Sequence, residues 1–285
     1  MYHPRNPAEL TPLAQRLASR GILGVGDVYT VAELARLNTL MNPLFAARTR
    51  EDRAYVRPDD MVAADIFHLV LSRKMKNLLL SIVPDPVLYH LHAYEIAANR
   101  AQSHVFSEQP SGWHRDPDSE FFADDPTHVS VFVYLSEVAK DDGPFEFVPQ
   151  RPAESIRPDS PAVSMTGHTG MSFVWHRSYY HRAAPNRGPR RRRLIKISIQ
   201  SNSFHSLHLR QPFFQRAIAK IPAGDDEVDV LLGRYQGQVA PKLAPSLPLR
   251  FFDMPASATV NLRPDAIERM QQLERRQRGE PVAYD

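Results

Sequence analysis

The pattern of apolar and polar positions divides the chain into three stretches. Over residues 1–85 the apolar positions recur at helical spacing. A helix is predicted over residues 8–18, and Thr30 is placed to cap a second over 31–38. A long amphipathic stretch follows Asp59 and Asp60, runs through Met61, Ile66, Leu69, Leu71 and Leu78, and is ended by Pro84 and Pro86. Over residues 86–200 the period changes to two. Between His128 and Val138, Val129, Val131, Val133 and Leu135 alternate with Ser130, Phe132, Tyr134 and Ser136. Short strands are also predicted over 87–94, 143–148, 170–175 and 190–200, separated by Gly, Pro and Asp turns. Over residues 201–285 helices are predicted at 213–221 and 264–278, with Pro241, Pro245 and Pro248 in an irregular connection between them. Many short strands flanked by helices imply an antiparallel barrel or sandwich covered by helical flanks, organised as one domain over 1–285.

Composition narrows the chemistry. The chain has 285 residues, 42% hydrophobic and 24% charged, as expected of a globular protein. Its 25 prolines argue against a helical bundle. The absence of cysteine excludes disulfides, thiolate-held metals, iron–sulfur clusters and cysteine nucleophiles, so a metal must be held by His, Asp or Glu. No run approaches the ~18 apolar residues of a membrane span, and residues 1–7 lack a signal-peptide core. A cytoplasmic protein, acting as monomer or homodimer without a membrane partner, is expected. The net charge of +3 is small, and the basic run at Arg187 and Arg190 to Arg193 does not by itself call for a specific nucleic acid.

One candidate site stands out. Trp113-His114-Arg115-Asp116 contains a His-x-Asp, whose two side chains share a face if the segment is extended. Downstream, His181 offers a second imidazole, with His168 and His176 as competitors. Two histidines and one carboxylate on one side of a cation suit non-heme iron(II), because open positions remain for other ligands. Alone, a His-x-Asp is more often an ion pair or a turn than a metal site.

Four ordered segments give the His-x-Asp more weight: residues 113–117, the strand 131–138, Gly143-Pro144-Phe145-Glu146-Phe147-Val148-Pro149, and residues 170–178 leading to His181-Arg182-Ala183-Ala184-Pro185-Asn186. Together they resemble the phytanoyl-CoA dioxygenase-like branch of the iron(II)/2-oxoglutarate oxygenases. The resemblance covers roughly residues 85–200. It implies a double-stranded β-helix, or jelly roll, with iron held by His114, Asp116 and His181. It further implies 2-oxoglutarate as cosubstrate and dioxygen as oxidant. The activity implied is hydroxylation, desaturation or cyclisation of a small-molecule substrate, with 2-oxoglutarate converted to succinate. Halogenases of this type have Ala or Gly where Asp116 stands, so the resemblance implies oxygenation rather than chlorination.

The cosubstrate's far carboxylate needs a cation, and arginine's planar fork matches it. On a strand over 190–200, Arg192, Leu194, Lys196, Ser198 and Gln200 form one face, and Arg191, Arg193, Ile195, Ile197 and Ile199 the other. A lumen holding an anion should take the more polar face, which selects Arg192. The family's carboxylate-binding arginine also lies at this interval after the distal histidine. Trp113 either walls the pocket or belongs to the core, and Tyr134 either reaches the lumen or packs in the core. Asn186 resembles a residue that braces the loop after His181, and His90, His92 and His104 are entrance candidates. Two departures from the family pattern stand beside the site. Pro149-Gln150-Arg151-Pro152 replaces the usual Pro-Gly-Ser-His, and Ala183 replaces a Ser or Thr that touches the cosubstrate. Two other classes fit parts of the sequence: a metal isomerase on the same barrel, which has no need of Arg192, and an anion- or nucleic-acid-binding barrel using Arg187 to Arg193.

Overall fold

The structure is a computed structural model that describes residues 11–48, 53–82, 86–100, 112–116, 128–149, 156–157, 160, 162–201, 212–234, 249–253, 262 and 264–277. Along the chain run α1 (Pro12–Arg20), β1 (Ile22–Val25), α2 (Val31–Ala46), β2 (Arg53–Val56), α3 (Pro58–Ala63), α4 (Phe67–Val70), α5 (Arg73–Ile82) and β3 (Pro86–Ile96). These are followed by β4 (Val129–Tyr134), β5 (Phe145–Phe147), β6 (Val163–Met165), β7 (Ser172–His176), β8 (His181–Ala183) and β9 (Arg192–Ser201). The C-terminal part adds α6 (Pro212–Lys220), α7 (Asp226–Leu231), β10 (Phe251–Phe252) and α8 (Pro264–Gln277).

The strands form two antiparallel sheets, a larger one ordered β10-β1-β7-β4-β9-β3-β2 and a smaller one ordered β6-β5-β8. This is the jelly-roll architecture that the family resemblance implied, and it meets the expectation of an antiparallel barrel or sandwich from the alternating strands. The alternation over 128–138 now has a physical cause. Val129, Val131 and Val133 join Ile195, Ile197 and Ile199 in a core beneath the helices, while Phe132 and Tyr134 turn the other way, into the space between the sheets. That inner space is packed with Phe145, Phe147, Phe173 and Trp175 as well. A third cluster lies between α8 and residues of the smaller sheet's surroundings, with Trp113, Val148, Tyr180 and Met270 as members.

The N-terminal part departs from the helical expectation in two ways. It donates β1 and β2 to the larger sheet, where β1 pairs with β7 and β2 with β3. Both strands are only four residues long and are held by their partners rather than by local propensity. The amphipathic stretch is also three helices rather than one. Asp65 adopts a left-handed φ of 55°, and the chain turns there so that Met61, Ile66, Phe67, Val70, Met75 and Leu78 all enter the same core. A straight helix would bury only one stripe of them. Helix α2 begins where Thr30 was expected to cap it. The Thr30 hydroxyl accepts from the Glu33 amide at 3.2 Å, and the Glu33 carboxylate accepts from the Thr30 amide at 2.6 Å. Helices α6 and α8 lie where the periodicity placed them, whereas α7 and β10 were not foreseen. Pro241, Pro245 and Pro248 lie outside the described residues. Among the described residues, no helix is long and apolar enough to cross a membrane.

Candidate metal centre

His114 and His181 sit opposite each other as an isolated antiparallel bridge that extends the smaller sheet beside β8. Each backbone amide donates to the other's carbonyl at 3.0 Å, so both side chains project from the same face. Their rings lie 4.4 Å apart, centroid to centroid. Asp116, two residues along from His114, returns to that face. One ligand atom from each of His114, Asp116 and His181 lies within 4.8 Å of the others, and all three residues are buried.

Their orientation is fixed from behind. His114 Nδ1 donates to the Gly112 carbonyl at 2.8 Å, and His181 Nδ1 donates to the Tyr179 carbonyl at 3.0 Å. A carbonyl can only accept, so each Nδ1 carries the proton and each Nε2 keeps its lone pair, the tautomer a metal requires. Burial is the largest influence on both imidazoles and pushes both pKa values down, that of His181 well below the usual histidine range. The neutral form is therefore the resting form.

Asp116 is held asymmetrically. Arg177 donates to its Oδ2 through Nε at 2.7 Å and Nη2 at 2.6 Å, and Lys196 Nζ approaches the same oxygen at 3.4 Å. Oδ1 faces the imidazoles, 3.9 Å from His181 Nε2. Burial alone would raise the Asp116 pKa, but Lys196, His181 and His114 outweigh it and hold the carboxyl well below the usual carboxylate range. Burial lowers Arg177 to about 9, still charged at neutral pH. Neither Arg177 nor Lys196 emerged from the sequence as a partner of the site. Arg177 is the residue directly after β7, and nothing in its local sequence marks it as buried.

Arg192 lies in the same interior and is fully buried. Its Nη1 donates to the Gly143 carbonyl and its Nη2 to the Tyr94 hydroxyl at 2.7 Å. Its Nε is buried with no hydrogen-bond partner among the described residues. Gly143 has a φ of 69°, and a Cβ there would stand 3.0 Å from the Ala184 carbonyl, so the close approach of this turn to β8 requires glycine.

The family model for phytanoyl-CoA dioxygenase matches residues 17–194, a span that includes the three convergent side chains and Arg192. The chain belongs to the phytanoyl-CoA dioxygenase family. It is accordingly an enzyme of the iron(II)- and 2-oxoglutarate-dependent class. No curated protein sequence matches it. Among solved structures, it is similar to the non-heme α-ketoglutarate-dependent epimerase SnoN from nogalamycin biosynthesis, at 20% identity and a TM-score of 0.53, covering 69% of this chain and 84% of that one. It is also similar to the non-heme monooxygenase ThoJ in a nickel complex, at 19% identity and a TM-score of 0.51, covering 66% and 77%. A third is EctD from S. alaskensis with bound iron, at 15% identity and a TM-score of 0.52, covering 70% and 81%. At such identities these structures speak for the shared fold.

The other residues singled out in the sequence are distributed as follows. Tyr134 is fully buried. Its hydroxyl donates to the Met165 carbonyl at 2.6 Å and accepts from the Phe145 amide at 3.3 Å, bracing one sheet against the other. Burial raises its pKa to about 12. Trp113 packs in the cluster with α8, and the Arg182 guanidinium lies over its ring at 4.7 Å. His168 is exposed. His176 is buried but accepts from the Ser178 amide at 3.2 Å, and neither histidine joins His114 and Asp116. Asn186 donates from Nδ2 to the Arg190 carbonyl at 2.8 Å, tying down the turn that precedes β9. Ala183, the departure from the phytanoyl-CoA dioxygenase pattern, lies in the aromatic cluster between the sheets. The second departure, at residues 150–152, and His104 lie outside the described residues.

Proposed function

We propose that this chain hydroxylates, desaturates or cyclises a small metabolite, with His114, Asp116 and His181 holding iron(II) and Arg192 seating the C5 carboxylate of 2-oxoglutarate. The observation that carries this reading is the pairing of the triad with a fully buried arginine in the same interior, whose Nε has no partner among the described residues. The donor set fits the metal. Two Nε2 lone pairs and one carboxylate oxygen are the donor types that non-heme iron(II) takes from a protein, and three protein ligands would leave positions for cosubstrate and dioxygen. When bound, the iron supplies the redox and Lewis-acid chemistry that couples 2-oxoglutarate decarboxylation to substrate oxidation.

The protein's own contribution is positional and electrostatic. Arg192 and the Tyr94 hydroxyl present donors to the far carboxylate, and charge-assisted bonds there fix the cosubstrate's direction. Trp175 and Phe145 pack against His181, with ring centroids at 4.3 and 5.5 Å, and would shield a metal held there from water on that side. Arg177 neutralises Asp116 on Oδ2 and leaves Oδ1 as the ligand oxygen. A metal isomerase on this barrel would use the triad but would have no carboxylate for a buried Arg192. The basic run offers little to nucleic acid, because Arg190 pairs with Glu137 and Asp142, and Arg191 and Arg193 both pair with Glu95.

The test is 2-oxoglutarate turnover to succinate with iron(II), together with metal binding measured by calorimetry. His114→Ala, Asp116→Ala and His181→Ala should each lose both, while His168→Ala keeps both. Undiminished metal binding in His181→Ala would overturn the assignment.

A further inference from the structure

Iron and 2-oxoglutarate do not use all the positive charge in this interior. Among the described residues, Arg53, Arg177, Arg192 and Lys196 converge on it, against the one carboxylate of Asp116. Arg177 and Lys196 both pair with Asp116. In the reading above Arg192 is committed to the far carboxylate of the cosubstrate. Arg53 remains, with no ion pair among the described residues.

Its placement is built rather than incidental. On β2 and β3, Arg53 lies opposite Ile96 and Tyr55 opposite Tyr94. On β3 and β9, Ile96 lies opposite Arg192, Tyr94 opposite Leu194 and His92 opposite Lys196. Residues directly opposite each other share a face of the sheet, so all of these face the inner space. The Arg53 guanidinium is held over the rings of Tyr94 at 4.6 Å and Tyr55 at 5.1 Å. Its Nε is buried without a hydrogen-bond partner among the described residues. Next to it, His92 is 6% exposed, its ring lies 5.2 Å from Tyr55, and neither of its ring nitrogens has a hydrogen-bond partner among the described residues. A buried polar atom left unpaired is costly, so a wall that carries three of them is suited to a polar ligand. The wall adjoins the metal. Lys196 lies opposite His92 and its Nζ stands 3.4 Å from Asp116 Oδ2, which joins this wall to the triad.

We propose that Arg53, with His92, is a recognition site for an oxyanion on the primary substrate, so that the oxidised molecule carries a carboxylate or phosphate. The inference rests on the iron and 2-oxoglutarate reading, since it assigns the charge that reading leaves over. A planar guanidinium fixed between two aromatic rings matches two oxygens of such a group. A neutral substrate would leave the charge of Arg53 uncompensated, and a cationic one would be repelled.

The experiment uses the full chain loaded with Mn(II) and saturating 2-oxoglutarate, which occupies Arg192 and prevents turnover. Thermal unfolding and calorimetry are then followed with matched probes: hexanoate against hexanamide, and benzoate and phenyl phosphate against benzamide. The acids should bind about tenfold or more tightly than the amides, the discrimination expected from one charge-assisted hydrogen bond. Comparing benzoate with phenyl phosphate tells the two oxyanions apart. Arg53→Gln should abolish the preference while preserving the stabilisation by 2-oxoglutarate, and Arg53→Lys should retain part of it. Equal binding of acids and amides overturns the proposal. So does an Arg53→Gln protein that still prefers acids, or one that loses the 2-oxoglutarate response instead. Failure of the wild type to respond to Mn(II) and 2-oxoglutarate at all is a different result. It refutes the iron and 2-oxoglutarate reading, and the anion site falls with it.

Discussion

Strand β9 allows the cosubstrate assignment to be tested on three adjacent arginines. Arg192 points inward and is fully buried, whereas Arg191 and Arg193 point outward and both pair with Glu95, at 2.6 and 2.5 Å. Arg192→Met keeps most of the side-chain volume and removes the fork. A carboxylate held by two charge-assisted bonds loses at least about 3 kcal/mol, at roughly 1.5–3 kcal/mol per bond. The 2-oxoglutarate Kd should therefore rise by roughly a hundredfold or more. Stability in the absence of 2-oxoglutarate should change little, because the native guanidinium is itself a buried cation with one donor unpaired. The outward pair should behave in the opposite way. Glu95 is 1% exposed, so replacing both Arg191 and Arg193 by Ala leaves a buried carboxylate uncompensated, at a cost of about 3 kcal/mol or more. At a few degrees per kcal/mol, that lowers Tm by roughly 6–12 °C, while the 2-oxoglutarate Kd stays within about twofold of the wild-type value. Calorimetric titration of 2-oxoglutarate into the Mn(II)-loaded proteins, alongside thermal unfolding, reads both effects. Equal changes in Kd for all three positions would refute the reasoning from strand parity, and an unchanged Kd in Arg192→Met would refute the cosubstrate seat.

Three further outcomes are expected. With Asp116 filling the third protein position at the metal, products analysed by mass spectrometry should be oxygenated or dehydrogenated, and none chlorinated even in high chloride; a chlorinated product would show that Asp116 is not a ligand. Burial depresses the pKa of both His114 and His181, so protons compete with the metal only below the ordinary histidine range; iron affinity should be nearly flat from pH 8 down to about 6.5 and fall at lower pH, and a steep loss already between pH 8 and 7 would contradict the buried neutral imidazoles. Because the basic run is ion-paired to Glu95, Glu137 and Asp142, DNA and RNA should bind weakly and lose their affinity at moderate salt, and tight binding in high salt would contradict this.

What could be read in the sequence was whatever depended on local periodicity. The alternation over 128–138 identified a strand with two different faces, and the same parity over 190–200 separated Arg192 from its neighbours before any partner was known. The spacing of His114 and Asp116 placed both on one face of an extended segment. What could not be read depended on contacts between distant segments. Strands β1 and β2 are too short to announce themselves and are held in place by β7 and β3. The break at Asp65 follows from the core that the flanking helices must share. Arg177 and Lys196 reach Asp116 from the residue that follows β7 and from strand β9, across 61 and 80 positions of sequence. Arg53 acquires a role only when β2 brings it beside Tyr94.

The division of labour on β9 explains why its register is pinned so firmly. The outward face carries Ile195, Ile197 and Ile199 into the core beneath the helices, and it carries two arginines to the buried Glu95. The inward face carries Arg192 towards the cosubstrate position and Lys196 to Asp116. A slip of one residue exchanges the faces, because side chains alternate along a strand. It would bring isoleucines into the polar interior, leave Glu95 buried without its cations and turn Arg192 away from the site. The core that stabilises the strand thus also positions the candidate chemistry, and selection for a stable sheet also holds Arg192 and Lys196 in place.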